Sequence, residues 1–337
     1  MERSKMTDTS AMTEIRPGRE IMQRMIVKKF ATPLKHQKLP TSSSSSGEEE
    51  MTIKNELDFL FVHGSCAYSS QFNLLIDEIG KAIEVKNSNN NSNKGIITAA
   101  RFHLFDSLGC GKSRIENEGD IAWEDFSEPQ LQQDLETVSY SIFDKYPSSS
   151  IYIVGHSYGT SQVVKLMNEM MENKGREADH QRVQGIVMIG GAVKGSSSST
   201  NVTKRAHWIF YLPNFILNIL QPTLTNGFIN AAFHPTTHAN KRAMIENATN
   251  KSNKNSMKMC KAFYRQACWS TSGDAQKITT KCLIIHGQND YVIPCQCGRD
   301  MADTISHSEF ALIPNSSHQV FEEKPSEVCS QLMKLIL

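Results

Sequence analysis

The chain has 337 residues, with 36 Lys or Arg against 35 Asp or Glu and a formal net charge of +1. That balance argues against a nucleic-acid binder that depends on neutralising phosphates, and against a polybasic membrane-surface protein. With 39% hydrophobic and 21% charged residues, the composition is that of a globular protein with polar loops, long enough for two domains or one α/β domain with an insertion.

No apolar run approaches the ~20 residues that span a bilayer, so no transmembrane segment is expected. The best candidate for a signal-peptide core, Ile21–Val27, is broken by Arg24, which disfavours secretion. The eight cysteines (Cys66, Cys110, Cys260, Cys268, Cys282, Cys295, Cys297, Cys329) are too scattered for a disulfide scaffold. Cys295 and Cys297 form a C-x-C without partners at zinc spacing, so free thiols and no metal are expected. These features point to the cytoplasm. The first forty residues, with nine basic against four acidic side chains, leave a mitochondrial location as the alternative.

In chain order, Thr13–Arg16 and Glu20–Val27 flank the turn dipeptide Pro17-Gly18 and read as a strand hairpin. A Ser-rich, acidic loop follows over Thr41–Glu50. Leu57–His63 reads as a buried strand. Gln71–Val85 reads as a helix, with Phe72, Leu75, Ile76, Ile79 and Ile83 at helical spacing, and Asn87–Asn93 as a surface loop. The alternation continues: strand Ile96–Phe105, helix Pro129–Tyr146, strand Ile151–Val154, helix Ser161–Met171 and strand Val183–Ile189. It stops between Gly195 and Thr280, where an apolar stretch, Trp208–Leu220, is broken by Pro213 and followed by polar helical segments. It then resumes with strand Cys282–His286, a helix near Gln296–Ile305, strand Glu309–Ile313 and a last helix from Pro325. Such alternation predicts a mostly parallel sheet with helices on both faces. The expected organisation is a basic N-terminal segment (1–50), a core in two parts (51–195 and 281–337) and a helical cap (196–280).

The most informative stretch is Ile151–Gly159, where a buried strand runs into Gly155-His156-Ser157-Tyr158-Gly159 and a helix follows. A G-x-S-x-G at a strand-to-helix corner presents its serine hydroxyl outward, beside the partial positive charge of a helix N-terminus. Serine is a weak nucleophile and needs a base oriented by a carboxylate, here in the chain order Ser, acid, His. Asp290, past strand Cys282–His286, and His318, past strand Glu309–Ile313, meet that order at strand carboxyl ends. No acid occupies the Gly190–Lys194 loop, and Asp303 falls in a helix. His286 lies inside its strand and reads as a core histidine or one that supports a catalytic residue. His156 lies within the corner and is expected to point toward the sheet, and His63 lies at another strand end, where it is expected to fix loop geometry. Ser65 and Tyr158 are the candidate oxyanion N–H donors. The loop Asp106–Ser113 ends in Gly-Lys-Ser but has Asp106 where a phosphate-binding loop requires Gly, so a tight turn is the preferred reading.

Taken together, VHGSCA, FDSLGCGKS, VGHSYG, IIHGQNDYVIP and PNSSHQVFEEKP resemble, in order and spacing, the motifs of the α/β-hydrolase superfamily with an inserted cap. The resemblance covers about residues 13–337 and extends to the abhydrolase-domain-containing proteins near member eight of that series. It implies an α/β-hydrolase fold, a Ser157–Asp290–His318 triad and main-chain donors at Ser65 and Tyr158. Related epoxide hydrolases carry Asp where this chain has Ser157, so epoxide opening is not implied, and Tyr211 and Tyr264 are not read as epoxide-activating acids.

The expected function is hydrolysis of a carboxylic ester or thioester through an acyl-enzyme, without a cofactor. The partner is a small ester or lipid-like substrate, with peripheral membrane contact through the cap. Trp208, Phe210 and Phe215 are the candidate acyl-pocket residues. An acyltransferase using an alcohol acceptor, and a non-catalytic lipid- or protein-binding module of the same fold, are the alternatives.

Overall fold

The computed structural model describes residues 5–30, 55–90, 96–115, 117–200, 202 and 207–336. Eight strands form one sheet in the order β1-β2-β4-β3-β5-β6-β7-β8. They are β1 (Lys5–Arg16), β2 (Arg19–Lys29), β3 (Asn55–Val62), β4 (Ile97–Phe105), β5 (Ser150–His156), β6 (Val183–Ile189), β7 (Cys282–Gly287) and β8 (Ser308–Ile313). β1 and β2 pair antiparallel through the Pro17-Gly18 turn, β2 pairs antiparallel with β4, and every other pairing is parallel. The chain therefore has the mostly parallel sheet flanked by helices that the alternation predicts.

Parallel strands covered on both faces read as continuous apolar runs because each face of the sheet must be buried. Phe59, Phe61, Phe102, Val154 and Val187 face one core with α1 (Asn73–Asn89) and α12 (Pro325–Ile336). Leu60, Val62, Ile153, Ile186 and Met188 face the other with α2 (Glu128–Lys145), α3 (Tyr158–Glu172) and α10 (Cys295–Thr304). Register is locked across three strands by aromatic stacking: the Phe59 ring lies 5.2 Å from Phe102 and 5.5 Å from Tyr152, its ladder partners.

One local expectation is corrected, and one helix is unanticipated. Asn87 is not in a surface loop but near the end of α1, where its buried amide donates to the Ile97 carbonyl (2.7 Å) and accepts from the Ile97 N–H (3.1 Å). The short helix α4 (Glu177–Arg182) escapes a periodicity search because it is almost wholly polar. The Ser-rich loop at 41–50 lies outside the described residues.

Between β6 and β7 the chain forms α5 (Asn214–Ala232), α6 (Pro235–Asn240), α7 (Arg242–Ser252), α8 (Met257–Gln266) and α9 (Ser272–Gln276). None of the described helices is long and apolar enough to cross a membrane. After β8 comes the one-turn helix α11 (Val320–Glu323).

One ion-pair network pins the middle of the sheet. Arg101 on β4 holds Asp58 on β3 with two hydrogen bonds (2.7 and 2.8 Å), while His103 Nε2 lies 2.6 Å from the same carboxylate. Burial pushes the Asp58 carboxyl up, but these hydrogen bonds outweigh it and hold the group at about 2. A lowered folded-state value gives stability that is present above the unfolded carboxyl range and is lost as pH falls through the folded value. Asp58→Asn is expected to lower the unfolding free energy at neutral pH by ~3–5 kcal/mol, because it leaves Arg101 buried and underpaired. In urea titrations the gap between the two proteins should close as pH drops from about 4 towards about 2.

Candidate active site

The corner at Ser157 is built from backbone contacts that exclude side chains. Ser157 has φ 54° and ψ −124°, between the end of β5 and the start of α3. A Cβ on Gly159 would lie 2.4 Å from the Val62 carbonyl oxygen, and one on Gly155 2.9 Å from the Gly159 carbonyl oxygen. Glycine at both positions thus lets strand and helix close on each other. The corner is tied from both sides: Ser157 N–H donates to Ile189 (2.8 Å), and its carbonyl accepts from the Thr160 N–H (3.0 Å) and hydroxyl (2.7 Å).

Asp290 follows β7, and its carboxylate is buried with four donors around it. Oδ1 accepts from the Val292 and Ile293 N–H groups, both at 2.8 Å. Oδ2 lies 2.8 Å from His318 Nδ1 and 3.2 Å from His286 Nε2. Burial alone would push this carboxyl up, but the two histidines reverse the balance and hold it well below the usual carboxylate range. His318 follows β8, and its Nδ1 bond to Asp290 leaves Nε2 as the other ring nitrogen. Gly190 (φ 58°) passes close by, with room for no side chain: a Cβ there would sit 3.3 Å from His318 Nδ1. The structure thus brings Ser157, Asp290 and His318 together at the carboxyl ends of β5, β7 and β8. Among the described residues, no hydrogen bond joins the Ser157 hydroxyl to His318.

The neighbouring histidines hold this arrangement. His156 lies 3.1 Å from the His318 carbonyl through Nε2, and a carbonyl only accepts, so Nε2 carries the proton. Burial, with the His318 ring beside it, pushes His156 well below the ordinary value, which keeps it neutral. His63 accepts from Ser107 N–H at Nε2 (2.9 Å), so its Nδ1 proton faces the Gly64 carbonyl (2.8 Å) and fixes the loop after β3. The partners of His156 and His286 are fixed by the assembly of β5 to β8 in one sheet.

Tyr158 is the first residue of α3, so its N–H has no intrahelical acceptor. Ser65 lies in the turn after β3, next to Cys66 at φ 51°, and its hydroxyl accepts from Tyr264 on α8 (3.2 Å). A developing oxyanion beside Ser157 could meet both N–H groups.

Ser157 and His318 line a cavity of about 500 Å³, together with Ser65, Phe210, Phe228 and Trp269. The insertion supplies much of the apolar wall. Phe210 lines the cavity, but Trp208 and Phe215 do not: they are 66% and 65% exposed and are absent from the cavity wall. Both sit on the outer side of the segment, where Leu217 is the residue turned inward. A hydrophobic count over Trp208–Leu220 cannot tell the two sides apart. Tyr264 lines the cavity and Tyr211 is exposed.

A family model described as serine aminopeptidase, S33, matches residues 99–325 of the chain. The chain is 26% identical to Protein ABHD8 of Homo sapiens and of Mus musculus over 200 residues, covering 58% of this chain and 42% of each relative. The match thus takes in less than half of those relatives' length. Among solved structures, a bromoperoxidase from Bacillus anthracis shares the fold with a TM-score of 0.67 at 15% identity, covering 97% of this chain and 99% of that one. A thermophilic esterase from Thermogutta terrifontis gives 0.64 at 16%, covering 98% of each chain.

The positive φ at Ser157 carries a cost of ~1–3 kcal/mol that glycine would not bear. Ser157→Gly is expected to raise stability by about 1 kcal/mol in urea unfolding, whereas Ser157→Ala, which keeps the Cβ, should leave it unchanged. A loss of stability in the glycine variant would mean that the corner is unstrained.

Proposed function

The chain belongs to the α/β-hydrolase family described as serine aminopeptidase, S33, and on that premise we propose that it is a serine hydrolase of carboxylic esters or thioesters. The observation that carries the reading is the His318 Nδ1–Asp290 Oδ2 hydrogen bond of 2.8 Å on the wall of the cavity that holds the Ser157 corner.

In this reading His318 Nε2 takes the Ser157 proton as Oγ attacks the acyl carbon. It then returns that proton to the departing alcohol or thiol, leaving an acyl group on Ser157. Water, deprotonated by the same imidazole, attacks the acyl-enzyme and releases the acid. Asp290 fixes the Nδ1–H tautomer and stabilises the imidazolium, and its four donors keep it ionised in a buried place. The N–H groups of Tyr158 and Ser65 receive the oxyanion. The Ser157–His318 contact closes when substrate binds, as often happens to hydrogen bonds that are open in a free enzyme.

An ester fits this cavity better than a peptide with a free amino terminus. An aminopeptidase must pair the substrate ammonium with an acid. Among the described residues the cavity wall carries no Asp or Glu, and the Asp290 carboxylate is fully enclosed. The apolar wall suits an acyl chain.

A fluorophosphonate probe should label the wild-type protein and not Ser157→Ala, whose ester turnover should fall ~10⁴–10⁶-fold. A well-folded wild type that stays unlabelled would support the binding-module alternative instead.

Phe228, on the cavity wall, and Phe215, outside it, separate an acyl pocket from surface packing. Phe228→Asp should raise KM for an octanoyl ester ~10-fold, less than two buried methylenes are worth, and leave an acetyl ester little changed. Phe215→Asp should alter neither. Equal losses on both esters with Phe228→Asp would show that this wall holds no acyl chain.

A further inference from the structure

The Gly111-Lys112-Ser113 tail looks like part of a phosphate cradle, but the protein's own carboxylate fills that place. Asp106 Oδ1 accepts the Ser69 N–H at 2.6 Å, and Oδ2 accepts the Lys112 N–H at 2.8 Å. A Cβ on Gly111, at φ 51°, would lie 2.3 Å from the same carboxylate. The backbone amides that would bind a phosphate are therefore already committed.

The side chains around the loop are not. A second cavity, of about 210 Å³, has Arg24, Lys112, Arg114, Lys251 and Lys254 in its wall against a single acid, Asp106. Arg24 is matched by Asp8 at 2.7 Å. Among the described residues the other four make no ion pair. Arg114 donates to the Gly111 carbonyl (3.2 Å), and Lys251 donates to the Ser70 hydroxyl (2.8 Å) while lying 4.2 Å above the Tyr68 ring. Those neutral partners leave the charges unbalanced. Glu322, another acid near Lys251, is pushed up by burial to about 8, with Lys251 pulling it back. Burial also pushes Lys251 below the ordinary lysine value, opposed by Glu322 and Asp106, while Arg24 and Lys254 add to the push. In a chain whose formal net charge is +1, five cations against Asp106 and the Asp8 partner of Arg24 leave positive charge in excess around one small cavity, which calls for an anion.

Its position indicates which anion. Tyr68 lines both this cavity and the one that holds Ser157, so the two are neighbours across one side chain. We propose that the basic cavity holds a phosphate group on the alcohol or thiol part of the acyl substrate. A carboxylate would bring a single charge, whereas a phosphate monoester brings up to two charges and three acceptor oxygens. The inference rests on the hydrolase reading above. The phosphate is an anchor and is not cleaved: the acyl–oxygen or acyl–sulfur bond breaks, the acyl group passes to Ser157 and then to water, and the phosphate-bearing alcohol or thiol leaves with the proton from His318.

Two matched pairs test it on the full chain at low salt: octanoyl-glycerol 3-phosphate against octanoylglycerol, and octanoyl-CoA against octanoyl-N-acetylcysteamine. The phosphate-bearing member of at least one pair should show a kcat/KM at least ten times higher, the pair identifying the source. That preference should vanish at 0.5 M NaCl and in a Lys112→Glu/Lys254→Glu double variant; both lysines are exposed, and Lys112→Gln/Lys254→Gln supplies a milder change. Turnover of the uncharged members with no preference in either pair overturns the inference alone, even if inorganic phosphate raises the melting temperature, since the cavity would then take free phosphate only. A preference that survives charge reversal overturns the assignment to this cavity. Failure to turn over any of the four, in a protein that fluorophosphonate does not label, overturns the hydrolase reading and this inference with it.

Discussion

The close contact between β3, β5 and the first turn of α3 is the constraint on which the rest of the site depends. Gly159 must approach the Val62 carbonyl within a distance no Cβ allows, and a Cβ on Gly64 would lie 2.8 Å from Ser157 Cβ. These contacts force Ser157 into its positive-φ corner and bring the loop after β3, with Ser65, alongside it. The local strain is held by the Ser157 N–H bond to Ile189 at the end of β6 and by the two bonds from Thr160 in the first turn of α3. Candidate nucleophile, oxyanion donors and helix N-terminus thus share one packing event.

Three buried carboxylates show how the same group serves different ends. Asp58 is neutralised by Arg101 and His103 and ties two strands together. Asp106 accepts backbone N–H groups from two segments and shapes a loop, standing where an external phosphate would otherwise go. Asp290 is held on one oxygen by two backbone amides and on the other by His318 and His286, so its charge is directed at an imidazole on the cavity wall. Burying a carboxylate is costly unless its lone pairs are met, and in each case they are. What differs is the partner that remains free to react.

The cavities divide the labour by polarity. The insertion turns Phe210 and Phe228 towards Ser157, whereas β2, the loop after β4, the end of α7 and the turn at Lys254 gather cations on the other side of Tyr68. An acyl chain and a phosphate group need such opposite surroundings within the reach of one substrate.

The sheet, its helices and the three residues at its carboxyl edge were legible in the sequence, because each depends on local signals. Apolar runs of the right length mark the buried strands. The G-x-S-x-G pattern carries its own steric reason, and Asp290 and His318 are recognisable from their places after strands Cys282–Gly287 and Ser308–Ile313. Tertiary structure alone decided which side of Trp208–Leu220 faces the cavity, since that stretch is apolar nearly all round and its direction is set by its packing partners. The same holds for the end of α1 closed by Asn87 and for the five basic residues around the second cavity. Those residues come from β2, the loop after β4, the last turn of α7 and the turn at Lys254, and no spacing along the chain records that folding brings them together. Short-range sterics and periodicity are written in consecutive residues, whereas charge clusters and cavity walls arise from contacts between distant ones.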